Sequence, residues 1–135
     1  MEEEIATNPL SVEQLEKSIP EVTEFLLVLG TKVNVEYGWA CNLPIDQLWQ
    51  TKQMDLSHLQ EFIEKSRKSG ILELGASDLH VSDIEGHWSF TLCHESDFHF
   101  VSSDRKLLEG VATKWHRMGF SVMVSSYTAV QAPRE

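Results

Sequence analysis

Four of the six histidines and one of the two cysteines fall within residues 79–102, LHVSDIEGHWSFTLCHESDFHFVS. His80, His87, Cys93, His94 and His99 offer imidazole and thiol groups, the side chains that ligate zinc-class metals, move protons or attack electrophiles. Which of these tasks is open to them depends on which side chains share a face, and strand parity answers that. The stretch reads as three short antiparallel strands joined by two tight turns. A two-residue turn at Glu85-Gly86 pairs Ile84 with His87, hence Val81 with Phe90 and Leu79 with Leu92. A three-residue connection over 95–97 pairs His94 with Phe98, Leu92 with Phe100 and Cys93 with His99. One face then carries Leu79, Val81, Trp88, Phe90, Leu92, Phe98 and Phe100, a dense aromatic wall suited to helix packing. The opposite face carries His80, Ser82, Ile84, His87, Ser89, Thr91, Cys93, His99 and Val101.

On that polar face Cys93 and His99 become cross-strand neighbours with Cβ atoms about 5 Å apart, and His80 lies diagonally at roughly 7 Å. The three could meet around zinc. The spacing is unspecific, however: CxxC, HxxxH and HExxH are all absent, so neither a metal ligand nor a cofactor is assigned. A solvated polar face is the simpler expectation. A Cys93-His99 nucleophilic dyad would need an orienting acid and an oxyanion site. Its nearest acid, Asp97, sits in the turn and is expected to face solvent. GxGxxG, P-loop and GxSxG patterns are also missing, and the balance is against an enzyme. Four histidines among carboxylates also raise a pH-sensing reading, with ordinary exposed titration as its alternative.

The elements that position this stretch follow from capping and periodicity. Residues 1–9 form a polar acidic lead, expected to be loose. Ser11 with Gln14 makes a capping box for a helix that should stop or bend near Ile19, because Pro20 lacks an amide donor. A second helix then carries Val22, Phe25, Leu26 and Leu29 and ends at Gly30. Val33, Val35 and Tyr37 alternate with Lys32, Asn34 and Glu36, the pattern of a half-buried strand. Residues 38–54 are hard to read beyond a short helix after Pro44, with Tyr37, Trp39 and Trp49 as a candidate aromatic contact patch. Such tryptophans otherwise cover a core edge.

Ser57 with Gln60, or Asp55, caps a helix with Leu56, Leu59, Phe62 and Ile63 inward. Its last turn holds Lys65, Arg67 and Lys68, which suit the negative end of the helix dipole. Residues 71–74 read as a short strand. Asp104 caps a helix with Leu107, Leu108, Val111, Trp115 and Met118 on one side, and Phe120, Val122 and Val124 alternate in a last strand. Residues 129–135 are expected to be loose. The sum is a single α+β domain over 1–135, a two-layer sandwich with a largely antiparallel sheet of five to six strands and helices packed on one face.

With 135 residues, 41% hydrophobic and 24% charged, the chain is long enough for one core without disulfides or metal. Its apolar runs are too short to cross a bilayer, and its acidic N-terminus is unlike a secretory signal. A cytoplasmic protein with free Cys41 and Cys93 is expected. The net charge of −10 argues against nucleic acid and against anionic membranes. Residues 69–100 contain six acids and neither Lys nor Arg.

The leading expectation is therefore a non-enzymatic acidic interaction protein with a basic protein partner, of the immunity or inhibitor type. Its contact face would include His80, Asp83, Glu85, His87, Cys93 and His99. Two alternatives stand beside it. One is a small-molecule or enzymatic pocket between helices and sheet near Tyr37, Trp39 and Trp49. The other is a structural homodimer built on a strand edge or on the polar face.

Overall fold

A computed structural model describes residues 2–124. Seven strands, β1 (Glu3–Thr7), β2 (Lys32–Tyr37), β3 (Lys52–Asp55), β4 (Leu79–Asp83), β5 (Trp88–Leu92), β6 (Phe98–Ser102) and β7 (Val122–Val124), form one sheet in the order β3-β2-β4-β5-β6-β1-β7. Every neighbouring pair is antiparallel. Three helices, α1 (Val12–Leu27), α2 (Leu59–Lys68) and α3 (Arg105–Arg117), pack on one face of it. The α+β two-layer architecture is as the sequence pattern implies, with a slightly larger sheet.

The aromatic wall lies where parity puts it. Leu79, Val81, Trp88, Phe90, Leu92, Phe98 and Phe100 are all buried, and they meet Leu15, Ile19, Val22 and Leu26 of α1, Leu59 and Ile63 of α2, and Leu108, Val111 and Trp115 of α3 in one core. Phe98 sits at its centre, against Phe90, Trp115 and Phe120. Burying a large side chain of this kind is worth roughly 1.5–3 kcal/mol. Two expected caps hold the helices. Ser11 Oγ accepts the Gln14 N–H while Gln14 Oε1 accepts that of Ser11, and Asp104 Oδ1 accepts from Lys106 and Leu107.

Four local expectations are corrected. The helix expected to stop or bend before Pro20 is continuous, because Leu15, Ser18, Ile19, Val22, Thr23 and Leu26 form one buried stripe across both halves. Pro20 lies on the exposed side, where water can hydrate the carbonyl of Glu16 that a proline cannot serve. The acidic lead is not loose. Strand β1 lies between β6 and β7, with Ile5 and Ala6 buried and the fully buried Thr7 Oγ1 accepting the Phe98 N–H at 3.1 Å.

Residues 71–74 make no strand. The Ile71 and Leu72 amides bond to the Ser66 carbonyl, closing α2, and Glu73 starts a turn to Ala76 and Ser77. Leu72 and Leu74 still reach the core. The hard-to-read segment holds β3, which pairs with β2 from Lys32↔Asp55 to Val35↔Lys52, after a single 3-10 turn at Ile45–Gln47. The tail at 129–135 lies outside the described residues. Among the described residues no helix is long and apolar enough to cross a membrane.

Candidate functional site

The helices leave the second face of the sheet open, and its polar side chains align in cross-strand rows. One row runs Glu36–His80–Thr91–His99–Ala6 across β2, β4, β5, β6 and β1. His80 pairs with Thr91, its Nδ1 lying 3.2 Å from Thr91 Oγ1. His99 occupies the next strand but one, roughly 10 Å from His80 at ordinary strand spacing. The trio of His80, Cys93 and His99 that could have met around zinc is therefore not gathered.

Register explains the difference. Leu92 faces Phe98 and Thr91 faces His99, a shift of two residues from the expected pairing. The connection does have three residues, but they are 94–96, closed by Cys93 N–H to the Asp97 carbonyl at 3.0 Å. Ser96 at φ 66° takes the left-handed position that such loops require. Because the shift is even, each side chain keeps its face. What changes is the neighbour of Cys93, which is Asp97 rather than His99.

Asp97 does not face solvent. It is buried, and its Oδ1 lies 3.1 Å from His99 Nε2, while Glu4 Oε2 lies 2.6 Å from His99 Nδ1. With a carboxylate on each nitrogen, His99 favours the imidazolium. The hydrogen bond to Asp97 leads in pushing its pKa from 6.5 up to about 9, against the opposing effect of burial, and Glu4 adds to it.

The other side of Cys93 repeats the theme. Asp78 Oδ1 accepts from the His94 backbone N–H at 2.6 Å and lies 2.8 Å from His94 Nδ1, which raises the His94 pKa. Asp78 is itself held by backbone: its carbonyl accepts from Gly38, and its N–H donates to Trp39. Burial first, then the charges of Asp97 and Asp78, push the Cys93 thiol up to about 12. A thiol so placed is held toward its protonated form, which works against its acting as a nucleophile. Cys41 is buried, gives its S–H to the Asp78 carbonyl, and like Cys93 is free.

The remaining expected contact residues separate. Asp83, Glu85 and His87 lie at the opposite end of the hairpin from Cys93. Asp83 faces the helix side and anchors the β4–β5 turn, its carbonyl accepting from Gly86 and its carboxylate from the His87 N–H. Glu85 and His87 are exposed in that turn. Trp39 and Trp49 do join the open face, 62% and 54% exposed rather than capping the core. Trp49 stacks on His80 with ring centroids 5.4 Å apart, and Trp39 lies 6.5 Å from His94. Gly38 makes room for this, since a Cβ there would sit 2.9 Å from the Trp49 ring.

Tyr37 turns the other way, stacking on Phe62 and pairing with Ser66 Oγ at 2.5 Å. It lines a 560 Å³ cleft with Val35, Phe62, Gln47, Gln50 and Lys52 on the helix side, which neither tryptophan touches.

Sequence reasoning missed Glu4, Asp78 and Asp97 as site residues. Asp97 was within reach of it, since moving the loop one residue back makes Asp97 the partner of Cys93. Glu4 and Asp78 carry no local signal. Searches of family models, curated proteins and solved structures find no match for this chain.

Proposed function

We propose that the protein is a non-enzymatic interaction module whose open sheet face docks a basic protein. The observation that carries this reading is the segregation of charge. The helical layer is close to neutral: four glutamates against one lysine in α1, two against three cations in α2, and one against four in α3. The net charge of −10 therefore belongs to the strands, connections and termini.

Strands β1, β4, β5 and β6 contain neither Lys nor Arg, and Glu4, Glu36, Asp78 and Asp97 line or edge their open face. Exposed Trp39 and Trp49 supply the large apolar anchors that protein interfaces concentrate at their centres. An acidic field around such anchors selects a cationic partner and speeds its approach. An inhibitor or immunity protein acting on a cationic enzyme is the concrete form of the reading. Two free thiols fit a reducing compartment, and we place the encounter in the cytoplasm. The cleft beside Tyr37 supports a small-molecule reading less well, because Tyr37 is engaged by Ser66 and Phe62 lies beneath Lys52.

A photo-crosslinker placed in cells at Ser82 or Ser89 tests the face, with Thr113 on α3 as the control position. The expected product is a basic protein captured from the sheet positions only. The purified pair should associate at a rate that falls steeply with salt, and Trp49→Ala should weaken it by at least about 2 kcal/mol, a hot-spot effect. A partner captured from α3 instead, or association indifferent to salt, rejects the reading.

A further inference from the structure

We propose that the Cys93 end of the β5–β6 hairpin binds one zinc-class divalent cation through Cys93 Sγ, Asp97 Oδ1 and His99 Nε2, with Glu4 orienting His99 from behind. The inference rests on donor geometry and does not depend on any protein partner. The three donor atoms lie within 4.8 Å of one another. The edge of a tetrahedral site with bonds of about 2.0–2.1 Å is roughly 3.3 Å, and His99 Nε2 and Asp97 Oδ1 are 3.1 Å apart. Cys93 Sγ lies within 4.8 Å of both atoms, and side-chain rotation has to close the remaining distance.

The surroundings are those of a metal ligand set. Glu4 at 2.6 Å takes the Nδ1 proton of His99, fixing the tautomer whose Nε2 lone pair faces the ion. A carboxylate behind a ligating histidine is the usual supporting arrangement. The Glu95 N–H points at Cys93 Sγ at 3.5 Å. Among the described residues it is the one contact there that favours thiolate, against burial and the neighbouring carboxylates that keep the thiol protonated until a metal displaces its proton. Asp78, Asp97 and Glu4 converge on this end, β1, β4, β5 and β6 contain neither Lys nor Arg, and the histidines supply the positive charge that a metal cation would replace. On binding, Cys93 releases its thiol proton and His99 one imidazolium proton to solvent. Mixed sulfur, nitrogen and oxygen donors select zinc or cobalt over magnesium and calcium, which require oxygen. Three protein ligands leave a fourth position for water or another group.

A second triad, Asp78, Cys93 and His94, shares the sulfur. It is the weaker candidate. Each histidine pairs the nitrogen it would offer the metal with its fellow carboxylate, but among the described residues the only carboxylate contact of His94 is that one, and its side chain is 43% exposed. His99 offers Nε2 while Glu4 holds Nδ1, and its side chain is 24% exposed.

The full chain, stripped with a chelator, is titrated with cobalt(II) and then zinc(II) at neutral pH by absorption and calorimetry. One equivalent of cobalt should bind, with a thiolate-to-cobalt charge-transfer band and the intense visible bands of four-coordination, and zinc should displace it. The calorimetric heat should vary with buffer in proportion to the protons released. Cys93→Ser should abolish the charge-transfer band, His99→Gln should abolish stoichiometric binding, and Glu4→Gln should weaken affinity about 10–100-fold. His94→Gln should leave affinity unchanged. Circular dichroism of each variant checks that it folds, and Glu4→Gln, which keeps the shape of the side chain, carries the test if a ligand variant does not. Absence of stoichiometric binding, an intact charge-transfer band in Cys93→Ser, or a larger loss from His94→Gln than from His99→Gln overturns the proposal.

Discussion

On the helix side of β4, β5 and β6, Leu79, Val81, Phe90, Phe98 and Phe100 are almost wholly excluded from water. One residue along each strand, on the other side, His80, Thr91 and His99 form a row of polar, hydrogen-bonding groups. The backbone and strand spacing are the same for both. Among the described residues the difference is what covers them: three amphipathic helices on one side, and Trp39, Trp49 and the strand ends on the other. On the covered side the work is apolar burial, which is large and indifferent to charge. On the open side solvent screens each interaction, and specificity comes from which carboxylate reaches which imidazole. Apolar burial and polar chemistry thereby fall on alternate residues of the same strands, so each can be altered separately.

The largest expected effect is on the covered face. Phe98→Ala should cost about 3–5 kcal/mol, the range for emptying a buried aromatic site, read as a shift in urea midpoint. A loss below about 1 kcal/mol would mean that the aromatic wall does not hold the domain together.

Next is the pH response of the metal-free protein. The folded-state pKa of His99 is raised from 6.5 to about 9, so its stabilising contribution is fully present below about 6.5 and is lost as pH rises through about 9. Unfolding free energy should fall over that window by up to about 3 kcal/mol, and Glu4→Gln should flatten the slope. A profile identical in Glu4→Gln would remove the Glu4–His99 pair from the open face. An imidazole signal titrating near 9 by NMR is the direct check.

Thr7→Val comes third and acts where β1 meets the start of β6. It keeps the shape of a fully buried side chain while removing the acceptor of the Phe98 N–H. An orphaned buried donor costs about 1–3 kcal/mol. Wild-type stability in this variant would mean that β1 contributes little to the sheet.

Smallest is Ser82→Lys in the middle of the open face. Thermal stability should stay within about 0.5 kcal/mol of wild type, while association with a basic partner should slow, most visibly at low salt. A large stability loss there would erase the distinction between the faces.

Particular elements show why some features were legible and others not. The buried wall could be read because alternation has a period of two and needs only local sequence. The hairpin loop was placed one residue late, yet the faces survived because the resulting register shift is even. Helix α1 runs through Pro20 because packing of a continuous stripe outweighs one lost hydrogen bond, a balance that propensity alone does not contain. Strand β1 has only Ile5 and Ala6 as apolar residues, too weak a signal by itself. It forms because β6 and β7 offer pairing partners on both sides.

The candidate site divides along the same line. Its sulfur and imidazole donors are adjacent in sequence, and parity alone places Cys93 and His99 on one face. Asp97 lies between them in sequence, but the other carboxylates do not: Glu4 arrives from β1 near the start of the chain and Asp78 from the residue before β4. Side-chain direction is set within a few residues by strand geometry, so the sequence determines which groups share a surface. Which of them touch depends on strand order and exact register. Those are set by the whole sheet, and here the tertiary structure turned a scattered histidine face into a compact cluster of thiol, imidazole and carboxylate.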